Sequence, residues 1–371
     1  MKKISVLLSV LFAFLIFSVP VRAETLTNDI EIQKIQEAFE DATGGEVTFS
    51  LSEYLDKVQA GEESFSFRTL FQEVIHLFQE QWEAQSGQLI RLFLLGILAG
   101  IFTNFSEALG RKELGETGFF VVYLLLFTTI TTGFFDIMQV ANETLENLLV
   151  FMKVLVPSFA VTVAAGAQTA TATGFYEMAM IGMTFVEIIL VHILIPVVNI
   201  YFLLSLANQL TREGRFSKMA ELIHSFLRWT VKALFGVVVG FQGIQMLILP
   251  VADKVKQSAV TKTVSSLPGV GNTFGSVAET VLGTTSLIKS VAGVGGVIGI
   301  CVICAIPLLK ILIFVLTYKV SAAFIQPVSD RRIVKSMNAV AESSKILFSI
   351  VAVSGMLFLC SIAIVLGATN R

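Results

Sequence analysis

Six long apolar runs, separated by short polar or basic stretches, dominate the chain: residues 89–109, 119–138, 175–208, 231–249, 291–318 and 346–366. A helix needs about 20 apolar residues to cross the bilayer core, and each run is near that length or beyond it. Ahead of them the pattern turns amphipathic. Ile32, Ile35 and Phe39 share a helical face that stops at Gly44-Gly45, as helices commonly do. Leu51, Tyr54, Leu55 and Val58 make a second stripe, and Phe67, Leu70, Phe71, Val74, Ile75, Phe78 and Trp82 a third; the spacing predicts helices. The predicted fold class is an all-α polytopic membrane protein with about six transmembrane helices and an N-terminal extracytoplasmic helical region.

The apolar text also repeats itself. Val140-Ala141-Asn142 returns 111 residues later as Val251-Ala252-Asp253, Pro157 as Pro268, Pro196 as Pro307, and Asn199 as Lys310. A constant offset over such a length points to an internal duplication, of the kind found in transporters and channels. Each copy opens on a less apolar, Thr-, Ala- and Gly-rich piece that carries its first proline: residues 148–174, with Gly166 and Thr169, and residues 255–287, with Gly269, Gly271 and Asn272. Basic loops close the apolar runs: Arg111-Lys112, then Arg212, Arg215 and Lys218, then Arg331, Arg332 and Lys335. Full crossings by the two proline pieces would put the Arg212 loop outside, against the positive-inside rule. Re-entrant or interfacial pieces leave six spans in three hairpins and all basic loops in the cytoplasm. Irregular backbone at membrane depth must be shielded or line water, so Pro157, Gly166, Thr169, Pro268, Gly269, Gly271 and Asn272 become candidate cavity or pore segments. A break at Pro196 would change this count.

Composition sharpens the picture. The chain has 371 residues, of which 54% are hydrophobic and 15% charged, against about 25% charged in soluble domains. Residues 24–88 hold 14 acidic side chains against Lys34, Lys57 and Arg68, an arrangement that offers nothing to nucleic acid. Residues 1–23 read as a signal peptide: Lys2-Lys3, an apolar core, then Val21-Arg22-Ala23, with an uncleaved anchor as the alternative. The layout is then an acidic extracytoplasmic domain at 24–88, a hairpin at 89–139, and repeats at 140–250 and 251–371.

Candidate chemistry is sparse. No phosphate-binding loop, zinc-protease motif or nucleophile elbow occurs, and His76, His192 and His224 are scattered. His192 lies five positions after Glu187, about 140° round an α-helix, so the two do not share a face. The expectation is a non-enzyme with no cofactor and no metal. Cys301 and Cys304 sit in apolar text without a second cysteine pair or a nearby histidine, so packing is their default role. Ionisable groups inside apolar runs are costly and often functional. Glu187, Asn199 and Lys310 are therefore candidate pore or coupling residues, with a packing role as the alternative reading. Lys153 and Lys232 suit snorkelling to the interface. The GxxxG pairs Gly96/Gly100, Gly236/Gly240 and Gly295/Gly299 suit close helix packing, within the chain or in a homo-oligomer.

Three stretches resemble the stage III sporulation protein AE family of endospore-forming Firmicutes: Ala278-Glu279-Thr280-Val281-Leu282-Gly283, Leu308-Leu309-Lys310-Ile311-Leu312 and Gln326-Pro327-Val328-Ser329-Asp330-Arg331-Arg332. The order of parts matches over nearly the whole chain. The resemblance implies a polytopic subunit of the channel joining mother cell and forespore, needed for forespore development and late sigma-factor activity. It implies as partners the other stage III proteins of the same operon, including ring-forming subunits and a cytosolic ATPase, and a forespore-side channel partner. It places the protein in the outer forespore membrane, with residues 24–88 in the intermembrane space. No catalytic residue is carried over. A stand-alone secondary permease that uses Glu187 and a non-conducting scaffold are the alternatives.

Overall fold

The computed structural model describes residues 29–43, 67–108, 112–165, 169–210, 215–265 and 271–369, and every element among them is helical. The elements are α1 (Asp29–Thr43), α2 (Phe67–Ala108), α3 (Lys112–Ala165), α4 (Thr169–Glu187), a π-helical stretch (Ile188–Leu194), α5 (Ile195–Leu210), α6 (Ser217–Ser265), α7 (Gly271–Ile325) and α8 (Arg331–Thr369). With α4, the π stretch and α5 forming one rod, six rods contain membrane-length apolar segments: Gln81–Phe102, Thr117–Ser158, Tyr176–Gln209, Ser217–Gly240, Gly295–Ile325 and Arg331–Ala363. This is a multi-pass, all-α membrane protein.

The rods outrun the apolar runs that nucleate them. Helix α3 has 54 residues and α7 has 55, each about 80 Å at 1.5 Å per residue, well beyond a core of roughly 30 Å. Pro157 and Pro307 are carried inside α3 and α7. The first proline-bearing piece is thus the last turns of α3 and the first of α4. Gly166, Pro268 and Gly269 lie outside the described residues, as do the signal peptide and the second amphipathic stripe, while Gly271 and Asn272 begin α7. No helix ends at the domain boundaries read from the sequence: 88/89 falls inside α2, 139/140 inside α3 and 250/251 inside α6.

Helix α8 is the central post. Of its membrane-length stretch 78% is buried, against 17% for that of α6, and residues 350–359 are buried all round, as expected of a helix enclosed by others. Helices α7, α3, the α4–α5 rod and α6 pack in that order around it. Helix α2 fills the groove between α3 and α7, and α1 buries Phe39 against the same pair. Among the described residues α6 and α7 make at most marginal contact with each other. The wrapping around α8 is therefore open on one side.

Side-chain contacts show which ends meet. A side chain on Gly100 of α2 would strike the backbone carbonyl of Val328, and one on Gly96 would meet Ile325 Cδ1 at 2.7 Å. Tyr123 near the start of α3 lies 3.0 Å from Ser336 Oγ and donates to the Leu206 carbonyl at 3.5 Å. These contacts gather the C-terminal ends of α2, α5 and α7 and the starts of α3 and α8 at one end, the basic end. At the other, Gly299 and Gly296 of α7 admit Phe151 and Leu155 of α3, at 2.5 and 2.7 Å from an added Cβ. Six rods of alternating direction thus bring the starts of α3, α6 and α8 to the same end, with Arg215 and Arg331-Arg332 there. The described parts of the proline pieces extend neighbouring helices instead of crossing separately, which preserves the parity that the charge pattern asks for.

Candidate functional site

Helix α8 carries a polar stripe along its open side. Arg331, Lys335 and Asn338 are exposed, and Glu342, Lys345 and Ser349 partly so, at spacings of three and four residues that trace one face. The stripe enters the membrane-length segment. Glu342 stands eleven residues into α8, about 17 Å from its start.

Three other helices bring charge or polarity to the same place. Lys319 of α7 reaches Glu342 Oε1 at 3.4 Å, and Lys345 reaches Oε2 at 3.5 Å, so one carboxylate bridges two ammonium groups. From α6, His224 lies within electrostatic range of Glu342, Lys345 and Arg228. Its ring stacks on Tyr201 of α5 at 5.3 Å between centroids. The side chains of Lys319, Glu342 and Lys345 keep 44%, 39% and 34% of their exposure, so the cluster is open, between α6 and α7. With His224 neutral it carries Lys319, Lys345 and Arg228 against Glu342, a surplus of two positive charges. Charge at membrane depth requires partners or water; here Glu342 partners both lysines, and the surplus charge stays open to a further partner. The cluster can hold an anion or a water-filled notch.

The residues singled out from sequence sit elsewhere. Glu187 pairs with Lys153 of α3 at 3.9 Å, at the start of the π stretch. There the wider turn brings residue i+5 round, so His192 Nδ1 comes within 3.3 Å of the Glu187 carbonyl. An α-helix would have held the two apart; the Ile195 N–H bonding back to the Leu190 carbonyl shows the π register. Pro196 has no N–H for the His192 carbonyl, and the π turns lie just upstream of it, whereas Pro307 is accommodated without them. Asn199 Oδ1 is buried with no hydrogen-bond partner among the described residues. Lys310 is partly buried on α7 and has an interaction of its own. Thr169 is the first residue of α4. Gly236 and Gly240 have no neighbour within reach of an added Cβ among the described residues, whereas Gly96, Gly100 and Gly299 make close approaches and Gly295 is buried. Cys304 is buried against Gly355 of α8.

At the basic end, Asp330 accepts the Arg332 backbone N–H at 2.7 Å and its guanidinium at 3.1 and 3.2 Å. The guanidinium in turn lies 3.8 Å over the Phe119 ring. Burial pushes the Asp330 carboxyl upward, but the hydrogen bonds and charge of Arg332 outweigh it and hold the group below its usual value.

Comparison with known proteins places these features. The sequence profile of stage III sporulation protein AE matches residues 49–369, which includes all six membrane-length helices. The chain is 23% identical over 361 residues to stage III sporulation protein AE of Bacillus subtilis (strain 168), covering 94% of this chain and 88% of that protein. No solved structure matches.

Proposed function

From the premise that the chain belongs to the stage III sporulation protein AE family, we propose that it is a non-enzymatic membrane subunit of the channel complex joining mother cell and forespore. On this reading it sits in the outer forespore membrane with its basic end toward the mother-cell cytoplasm and the acidic residues 24–88 in the intermembrane space. It works with the other stage III proteins of its operon, including ring-forming subunits and a cytosolic ATPase, and with a forespore-side partner. The observation that carries the reading is the family match across the whole helical bundle, α2 to α8. A bundle whose buried post bears an open charged stripe suits a gate or conduit subunit better than an inert anchor, because charge at membrane depth is costly to keep without a use.

The test is capture of the tagged, full-length chain from membranes of sporulating cells of its own host. Same-operon stage III proteins should co-elute, and deletion should arrest the forespore. Glu342→Gln should keep the protein in the membrane and in the complex while impairing spore formation. A chain that captures none of those proteins, and whose loss leaves sporulation intact, would overturn the proposal. Full complementation by Glu342→Gln would reduce the subunit to a scaffold. Loss of function in Glu187→Gln, with no complex recovered, would favour a self-contained permease.

A further inference from the structure

The gap between α6 and α7 has a feature that a channel subunit does not require. Its polar stripe begins at the basic end and opens sideways, toward the region that lipid occupies around the bundle. We propose that this lateral groove binds the phosphate headgroup of an anionic phospholipid, using Lys319, Lys345 and Arg228.

Four observations point there. The cations come from three helices: Lys319 and Lys345 share the Glu342 carboxylate, and Arg228 stands within electrostatic range of His224 beside them, which leaves positive charge in excess of negative in the cluster. They remain partly exposed, so a ligand can reach them from the open side. They lie about 9 to 20 Å in from the helix ends at the basic face, by residue count, a depth that long basic side chains and a headgroup bridge by snorkelling toward each other. Beside them the outer face of α6 exposes Leu222, Phe226 and Trp229, an apolar wall against which acyl chains can lie. Basic pockets between helices at the cytoplasmic side are known to hold anionic headgroups. Glu342 then has a defined part: it spaces the two lysines and keeps them from repelling, leaving their outer N–H groups for phosphate oxygens.

The experiment is lipid retention by the purified full-length protein, read by native mass spectrometry with phosphatidylglycerol, phosphatidylcholine and inorganic phosphate as probes. Phosphatidylglycerol should be retained over phosphatidylcholine, and inorganic phosphate should not displace it. Lys319→Gln with Lys345→Gln should weaken retention by about fivefold per cation removed, while Lys319→Arg with Lys345→Arg should keep it. Arg228→Gln, which leaves the Glu342 bridges in place, serves if the double variant does not fold. Equal retention of both lipids, or undiminished retention in the glutamine variants, would overturn the proposal. Displacement by inorganic phosphate would do so too, assigning the groove to a free anion. So would a co-purifying peptide seated there in place of lipid.

Discussion

Asp330 shows how much one side chain settles. It stands just before α8 and supplies the acceptor that the first-turn N–H groups of a helix lack. Its second oxygen aims Arg332 at Phe119, which ties the start of α8 to the start of α3. Asp330→Ala should lower stability by about 1 kcal/mol from the cap alone, measurable as a drop in thermal midpoint of the purified protein at neutral pH. Because the folded carboxyl is held low, its contribution is complete above the ordinary value near 4. That contribution is lost as the pH falls through the lower folded value. The gap between wild type and Asp330→Ala should therefore close in acid, and Asp330→Asn, which keeps a capping acceptor, should lose less. A pH-independent gap would show that the carboxylate is not what matters. The motif around Asp330 was visible in the sequence as a family resemblance, and its capping role follows from an aspartate preceding a helical run. The cluster at Glu342 was not visible. Glu342 and Lys345 fall just before the apolar run at 346–366, so a search for charges within apolar runs passes over them. Their partners come from helices more than a hundred residues away or from the preceding one.

At the scale of the element, length and hydropathy were enough to count the spans, because crossing a bilayer imposes a minimum apolar length. They were not enough to end them. Helix α3 continues from Met138 to Ala165 through Glu143, Glu146 and Lys153 with no loss of helix, since polar residues of good propensity extend a helix without any hydropathy signal. The GxxxG spacings were equally legible, but spacing alone cannot say which pair has a neighbour. Gly100 faces the Val328 carbonyl, and Gly240 has no such neighbour among the described residues. Gly100→Ala forces backbone apart and should destabilise by about 1–3 kcal/mol, the usual cost of overpacking. Gly240→Ala should be neutral or slightly stabilising, since alanine favours helix over glycine. Thermal unfolding of the two variants side by side checks this; equal effects would mean that α2 does not seat against the α7–α8 turn.

For the whole molecule, the decisive feature is an arrangement that periodicity does not encode: four rods wrapped round α8, with α6 and α7 held apart. The polar stripe along α8 was not read from the sequence, and which side of the bundle is missing depends on contacts between distant segments. The direction of the rods, by contrast, follows from loop charge, and the contacts at Gly100, Tyr123 and Phe119 agree with it. The apolar stretches through Pro196 and through Pro307 both run toward the basic end. The most direct test is labelling of single cysteines from either side of the membrane, in a chain lacking Cys301, Cys304 and Cys360, with sites at Ser217, Ser329, Thr169 and Asn272. Ser217 and Ser329 should label from the cytoplasm, and Thr169 and Asn272 from the opposite side. Labelling of Ser217 and Ser329 from opposite sides would contradict the six-crossing bundle and the groove built on it.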